Sequence, residues 1–123
     1  DLATVKREIA EAVASCGDEW VAAHHRISFN KLHNDAYAVP KDHPFVAAME
    51  AAAREHGLQP DVAGFIASCD ARLFAKVGGM PAVVFGPGGL EDAHSNHERI
   101  ELAQMETAAG VVARTVIGWC GKD

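Results

Sequence analysis

Leu2, Val5, Ile9, Ala12 and Cys16 recur at steps of three and four residues, which predicts one apolar face of a helix ended by Gly17. Over residues 20–29 the period changes to two. Val21, Ala23, Ile27 and Phe29 point one way with His25 among them, while His24, Arg26 and Ser28 point the other. This predicts a half-buried strand of an antiparallel sheet, with His25 a satisfied core histidine rather than a ligand. Residues 30–42 break the pattern with Asn30, Asn34, Asp35, Pro40 and Asp42, all turn or loop formers.

Periodicity resumes at Pro44, a good first helical residue with Asp42 or His43 near the cap. Phe45, Met49, Ala52 and Ala53 form its apolar stripe, Glu50 and Arg54 an i,i+4 pair, and Gly57 the stop. A short apolar run at 65–68 predicts a strand. Asp70 then caps a short helix over 71–76, which Gly78-Gly79 ends. Residues 82–85 read as a buried strand without polar alternation, as in parallel sheets. The last element is a helix whose Leu102, Met105, Ala109, Val112, Val116 and Trp119 line one face. That face is core by default, with a cofactor or partner groove as the lesser reading. It is expected to lie open unless another copy or chain covers it.

The order is helix, strand, linker, then helix, strand, helix, strand, helix. We expect an α/β fold in two parts, residues 1–29 and 43–123, joined by a linker over 30–42, each part a piece of a larger fold. A lone helix–strand pair buries too little to stand alone. The chain also opens on Asp1-Leu2-Ala3-Thr4 without an initiator Met, so it is expected to be a processed or truncated piece of something longer.

Composition narrows the partners. Hydrophobic residues make up 49% of the 123, which excludes disorder. The net charge of −6, with no basic run longer than Lys6-Arg7, argues against nucleic acid. No segment approaches the ~20 apolar residues of a membrane span, and no signal peptide is visible. Cys16, Cys69 and Cys120 are odd in number and far apart, so no disulfide framework is expected and a reducing cytoplasm is the default.

Four features bear chemistry. His94, in an acidic loop beyond a strand's end and followed by Glu98, suits a metal ligand at the carboxyl edge of a sheet. From spacing alone a solvated loop histidine is the stronger reading. His97 would join it only if the segment were helical, and His24, His25, His33, His43 and His56 show no ligand spacing. Gly86-Pro87-Gly88-Gly89 hints at a phosphate cradle, but Pro87 removes a donor and Glu91 and Asp92 repel phosphate, so close backbone passage past a metal or substrate fits better. Arg72 beside Asp70 suits a two-pronged grip on a carboxylate, against an Asp cap with a surface arginine. Cys69 near a helix start suits a nucleophile, against a buried inert thiol.

Three stretches together resemble one family. They are Cys69-Asp70-Ala71-Arg72 with Phe74-Ala75; Pro81-Ala82-Val83-Val84-Phe85-Gly86-Pro87-Gly88; and Ala93-His94-Ser95 with Glu98. In order and spacing they are similar to the dinuclear zinc peptidases and deacylases that include acetylornithine deacetylase, succinyl-diaminopimelate desuccinylase and aminoacylase. Cys69 departs from the family's hydroxyl residue, and His97 stands where an acidic or amide residue is commoner.

The resemblance implies a C-terminal part of such an enzyme. Residues 1–29 would end a small lid that often dimerises, and 43–123 would close the catalytic domain. It implies two zinc ions, or cobalt in their place, with His94 as the last ligand and Arg72 near the substrate carboxylate. It also implies hydrolysis of an N-acyl amino acid, the other ligands and the catalytic glutamate lying in an N-terminal portion outside this sequence. The chain alone is expected to be inactive, with that N-terminal portion and a second copy as partners and no nucleic acid or membrane. A different class remains open: a non-catalytic binding or dimerisation module that offers residues 20–29 as an edge strand.

Overall fold

A computed structural model describes residues 1–30 and 35–121, so His33 and Asn34 lie outside the described residues. The chain divides into two compact units, Asp1–Ala38 and Val39–Asp123. Every regular element among the described residues is helical.

In the first unit, α1 spans Leu2–Ala14. The Asp1 carboxylate caps it by accepting the Thr4 N–H at 2.8 Å, and Asp35 accepts the Leu2 N–H at 2.6 Å. The predicted face is present but buries nothing completely; Val5 and Ile9 remain 42% and 40% exposed. Lys6 lies over the Phe29 ring, 5.6 Å from its centroid.

The strand expected over 20–29 is not formed. Its first part is α2, Glu19–His24. The deciding residue is Asp18, whose carboxylate accepts the Trp20 and Val21 N–H groups at 2.9 and 3.0 Å and so nucleates a turn. Glu19 in the first turn and two alanines favour the helix further. Trp20 and His24, one turn apart, stack at 4.8 Å. His25 is exposed, its Nδ1 within 3.0 Å of the Val21 and Ala22 carbonyls at the helix end; it is no core histidine.

The second unit is built on α3, Pro44–Glu55, and α5, Leu102–Cys120, with the short α4, Ala71–Lys76, between them in sequence. The start of α3 is as expected, with Pro44 in the first turn and His43 at the cap, its Nδ1 accepting the Phe45 N–H at 3.1 Å. Its end is a Schellman turn. Gly57, at φ +77°, lets its N–H reach the Arg54 carbonyl and the Leu58 N–H reach Ala53, both at 3.0 Å. The turn lays Leu58 on the cluster of Ala52, Ala53 and Val111. Glu50 and Arg54 pair at 2.9 Å.

α5 packs on α3 with a different side from the one its apolar spacing predicts. Ala108, Val111 and Thr115 are its buried residues. Met105, Val112, Val116 and Trp119 remain about half exposed, and Leu102 is 76% exposed. The reason is size. α3 offers alanines, and a small-residue strip approaches them most closely. Thr115 satisfies its hydroxyl by donating to the Val111 carbonyl at 2.8 Å. At Gly110 a methyl group would meet the His56 ring at 2.6 Å, a ring held by its Nδ1 against the Ala52 carbonyl at 2.9 Å. Trp119 meets Phe45 edge-on at 5.2 Å.

The strands expected at 65–68 and 82–85 are absent as well: neither stretch has a ladder partner among the described residues. Ile66 is 93% exposed, and Val84 and Phe85 are 45% and 37% exposed. The α/β expectation is therefore met here only in its helices. No helix among the described residues is long and apolar enough to cross a membrane.

Arg114 of α5 grips Glu55 of α3 with two bonds, Nε to Oε2 at 2.6 Å and Nη2 to Oε1 at 3.3 Å. The hydrogen bond and charge of Arg114 hold the Glu55 carboxyl below its ordinary 4.5, and Glu55 raises Arg114 in turn.

Two outcomes follow. Val111, with no exposed surface, should lose about 2 kcal/mol of stability on truncation to alanine. Half-exposed Val112 should lose under about 0.5 kcal/mol. Equal denaturation midpoints for the two variants would contradict the α3–α5 packing. The Glu55 contribution, with a lowered folded pKa, is present above 4.5 and fades as pH falls through the folded value. Arg114→Gln should return the Glu55 titration, followed by carboxyl NMR, upward to its ordinary position.

Candidate functional site

Past α4 the chain runs without regular structure into Gly86-Pro87-Gly88-Gly89. The Gly88 N–H donates to Gln104 Oε1, in the first turns of α5, at 3.0 Å. An amide that a phosphate would need is thus taken up by a side chain, which removes support for a phosphate cradle here. The acidic segment that follows is a run of turns rather than a helix. Ala93 N–H reaches the Leu90 carbonyl, Ser95 the Asp92 carbonyl and Glu98 the Ser95 carbonyl, at 3.3, 3.1 and 3.3 Å. Arg99 pairs with Asp92 at 3.9 Å.

His94 sits in the middle of these turns at φ +62°, the one non-glycine residue with positive φ among those described. Histidine tolerates this region better than most residues, but the conformation still costs on the order of 1 kcal/mol. Its N–H donates to Glu98 Oε2 at 3.1 Å. The side chain is exposed. Sequence spacing had paired His94 with Glu98; the structure joins them, through the backbone amide and not the ring. His97 donates its own N–H to Ser95 Oγ at 3.1 Å, and no helical turn aligns its ring with that of His94.

These donors fit one ligand position and not a whole metal centre. Among the described residues no three of His, Cys, Asp and Glu come together to hold an ion, whereas a zinc site takes three or four. What this loop offers is the exposed His94 imidazole on a backbone held by hydrogen bonds.

Arg72, in the first turn of α4, is mostly buried, its side chain 22% exposed. Its Nη1 donates to the Cys69 carbonyl at 2.9 Å and stands 3.7 Å from Asp70 Oδ1. Asp70 makes no side-chain cap to α4, contrary to expectation; its backbone is already helical, and its carboxylate turns toward Arg72. The guanidinium is fixed at one nitrogen, which leaves its other donors for a planar acceptor. Cys69 is a half-buried free thiol.

Sequence reasoning missed Gln104 as the tether of the glycine loop and Glu55–Arg114 as the clasp between helices. These pairs lie 16 and 59 residues apart, so no local spacing marks them. A shallow groove beside the Glu55–Arg114 clasp, lined by Ala48, Ala51, Ala52, Thr115 and Gly118, includes neither His94 nor Arg72.

The described residues thus form no enclosed metal centre of their own. The chain belongs to peptidase family M20/M25/M40, whose profile matches residues 4–118. It is 30% identical over 80 residues to the LysW-lysine hydrolase of Deinococcus radiodurans, covering 65% of this chain and 22% of that protein. It is 40% identical over 42 residues to the N-formyl-4-amino-5-aminomethyl-2-methylpyrimidine deformylase of Halalkalibacterium halodurans, covering 34% and 10%. The chain spans between 10% and 27% of the length of the curated relatives it matches. No solved structure matches it significantly.

Proposed function

We propose that the chain is the C-terminal part of a zinc-dependent amidohydrolase that removes an acyl group from an N-acyl amino acid, as acetylornithine deacetylase does. The observation that carries this reading is the family match across residues 4–118, which takes in both Arg72 and His94. The relatives' names support the reaction type, one a hydrolase of LysW-lysine and another a deformylase of an N-formyl compound.

In this reading residues 1–29 end a lid that dimerises, 30–42 link, and 43–123 close an α/β catalytic domain. The stretches at 65–68 and 82–85 pair as strands with polypeptide outside this chain. His94 offers one ring nitrogen to a pair of zinc ions, for which cobalt can substitute. Zinc, when bound, lowers the pKa of its water and polarises the acyl carbonyl. Arg72 holds the substrate carboxylate, oriented by its bond to the Cys69 carbonyl. The free thiols of Cys16, Cys69 and Cys120 suit a reducing cytoplasm. The edge-strand module has lost its main support, since the residues meant to form the edge begin as α2.

Two tests follow. Mixed with the N-terminal part of the parent, the chain should restore zinc uptake and deacylation, and His94→Ala should abolish both. Dimerisation without zinc uptake would overturn the enzyme reading. In the same reconstituted protein Arg72→Lys should raise KM for a carboxylate-bearing substrate about tenfold or more with a smaller change in kcat, because lysine lacks the planar fork. An unchanged KM would remove Arg72 from the substrate site.

A further inference from the structure

We infer that Glu98 is a positioning residue, which sets the left-handed backbone of His94 and so the direction in which the imidazole is presented. The inference rests on the reading of His94 as a ligand. Three observations carry it. His94 is the single non-glycine residue at positive φ among those described. Its N–H is taken by the Glu98 carboxylate at 3.1 Å. The amides of Ala93, Ser95 and Glu98 are all satisfied by backbone carbonyls of the same turns.

The geometry explains the division of labour. A residue bearing a β-carbon does not stay left-handed unless something holds it there. A carboxylate is the strongest acceptor a side chain can offer a backbone N–H, stronger than the carbonyls that hold the neighbouring amides. Glu98 reaches the amide because the Ser95–Glu98 turn folds it back over four residues. Metal-bound histidines are commonly oriented by a carboxylate on the second ring nitrogen. Here the carboxylate grips the peptide instead, so the backbone sets the direction of the Cα–Cβ bond that carries the ring, and neither ring nitrogen is spent on it.

The test compares Glu98→Ala with Glu98→Gln, whose amide oxygen still accepts the bond. Backbone couplings that report the φ of residue 94 are measured by NMR on the chain itself. Zinc affinity, read from the zinc-induced shift of the His94 ring resonances, is measured on the chain joined by the N-terminal part of the parent. Glu98→Ala should lose the left-handed coupling and weaken zinc binding about 10- to 100-fold. Glu98→Gln should keep the coupling and most of the affinity. Retention of both coupling and affinity by Glu98→Ala overturns the inference, as does loss of both by a folded Glu98→Gln. If the wild-type ring ignores zinc altogether, the ligand reading fails, and the coupling measurement still decides whether Glu98 sets the backbone.

Discussion

The second unit depends on the contact of two small-residue surfaces, Ala52 and Ala53 of α3 against Val111 of α5. Alanine faces allow close approach, and Val111 there has no exposed surface. The polar contacts around that contact are fitted to it. The His56 ring lies where Gly110 leaves room. The Glu55–Arg114 clasp spans the two helices beside it. Once α5 is placed, Gln104 near its start draws in Gly88 and so fixes one end of the loop that carries His94. The candidate ligand thus hangs from a helix whose own position rests on a few methyl groups.

Helices were legible in the sequence where their ends were chemically marked. Pro44 opens α3 and Gly57 closes it, as expected, and the structure ends the helix in a Schellman turn. Where a cap competed with periodicity, the cap prevailed. Residues 20–29 alternate, yet the Asp18 carboxylate accepts hydrogen bonds from the Trp20 and Val21 amides, and a helical turn forms within the chain. A strand gains nothing until a neighbour supplies its ladder, and no described residue does so for 20–29, 65–68 or 82–85. Alternation therefore recorded which faces tolerate burial, not which structure this length of chain can close. The same holds for α5: its large residues mark a second apolar face, while the small residues decide the contact that forms.

The candidate site was legible as residue types in order and illegible as geometry. Arg72 and His94 stood out through three stretches in register. Nothing in their spacing indicated a left-handed backbone at His94, or that Glu98 would reach its amide. Nor could spacing show that Asp70 would leave the cap of α4 and face Arg72. Each is a choice between local hydrogen bonds, settled by how the chain turns over a few residues.

The exposed face of α5 and the presentation of His94 are one problem. Leu102 and Met105 lie on the same first turns as Gln104, the residue that holds Gly88. Covering those side chains would remove apolar surface from water at about 25 cal/mol per Å² and would stiffen the turns that carry the tether. Order gained on that face would pass through Gln104 to the glycine loop, and through the loop to the turns around His94. A site assembled from separate stretches of polypeptide benefits from such an arrangement: the burial that completes the fold also narrows the range of directions open to the donor. The left-handed residue ends that path with its own amide held by the Glu98 carboxylate and the amides of its two neighbours bonded to backbone carbonyls.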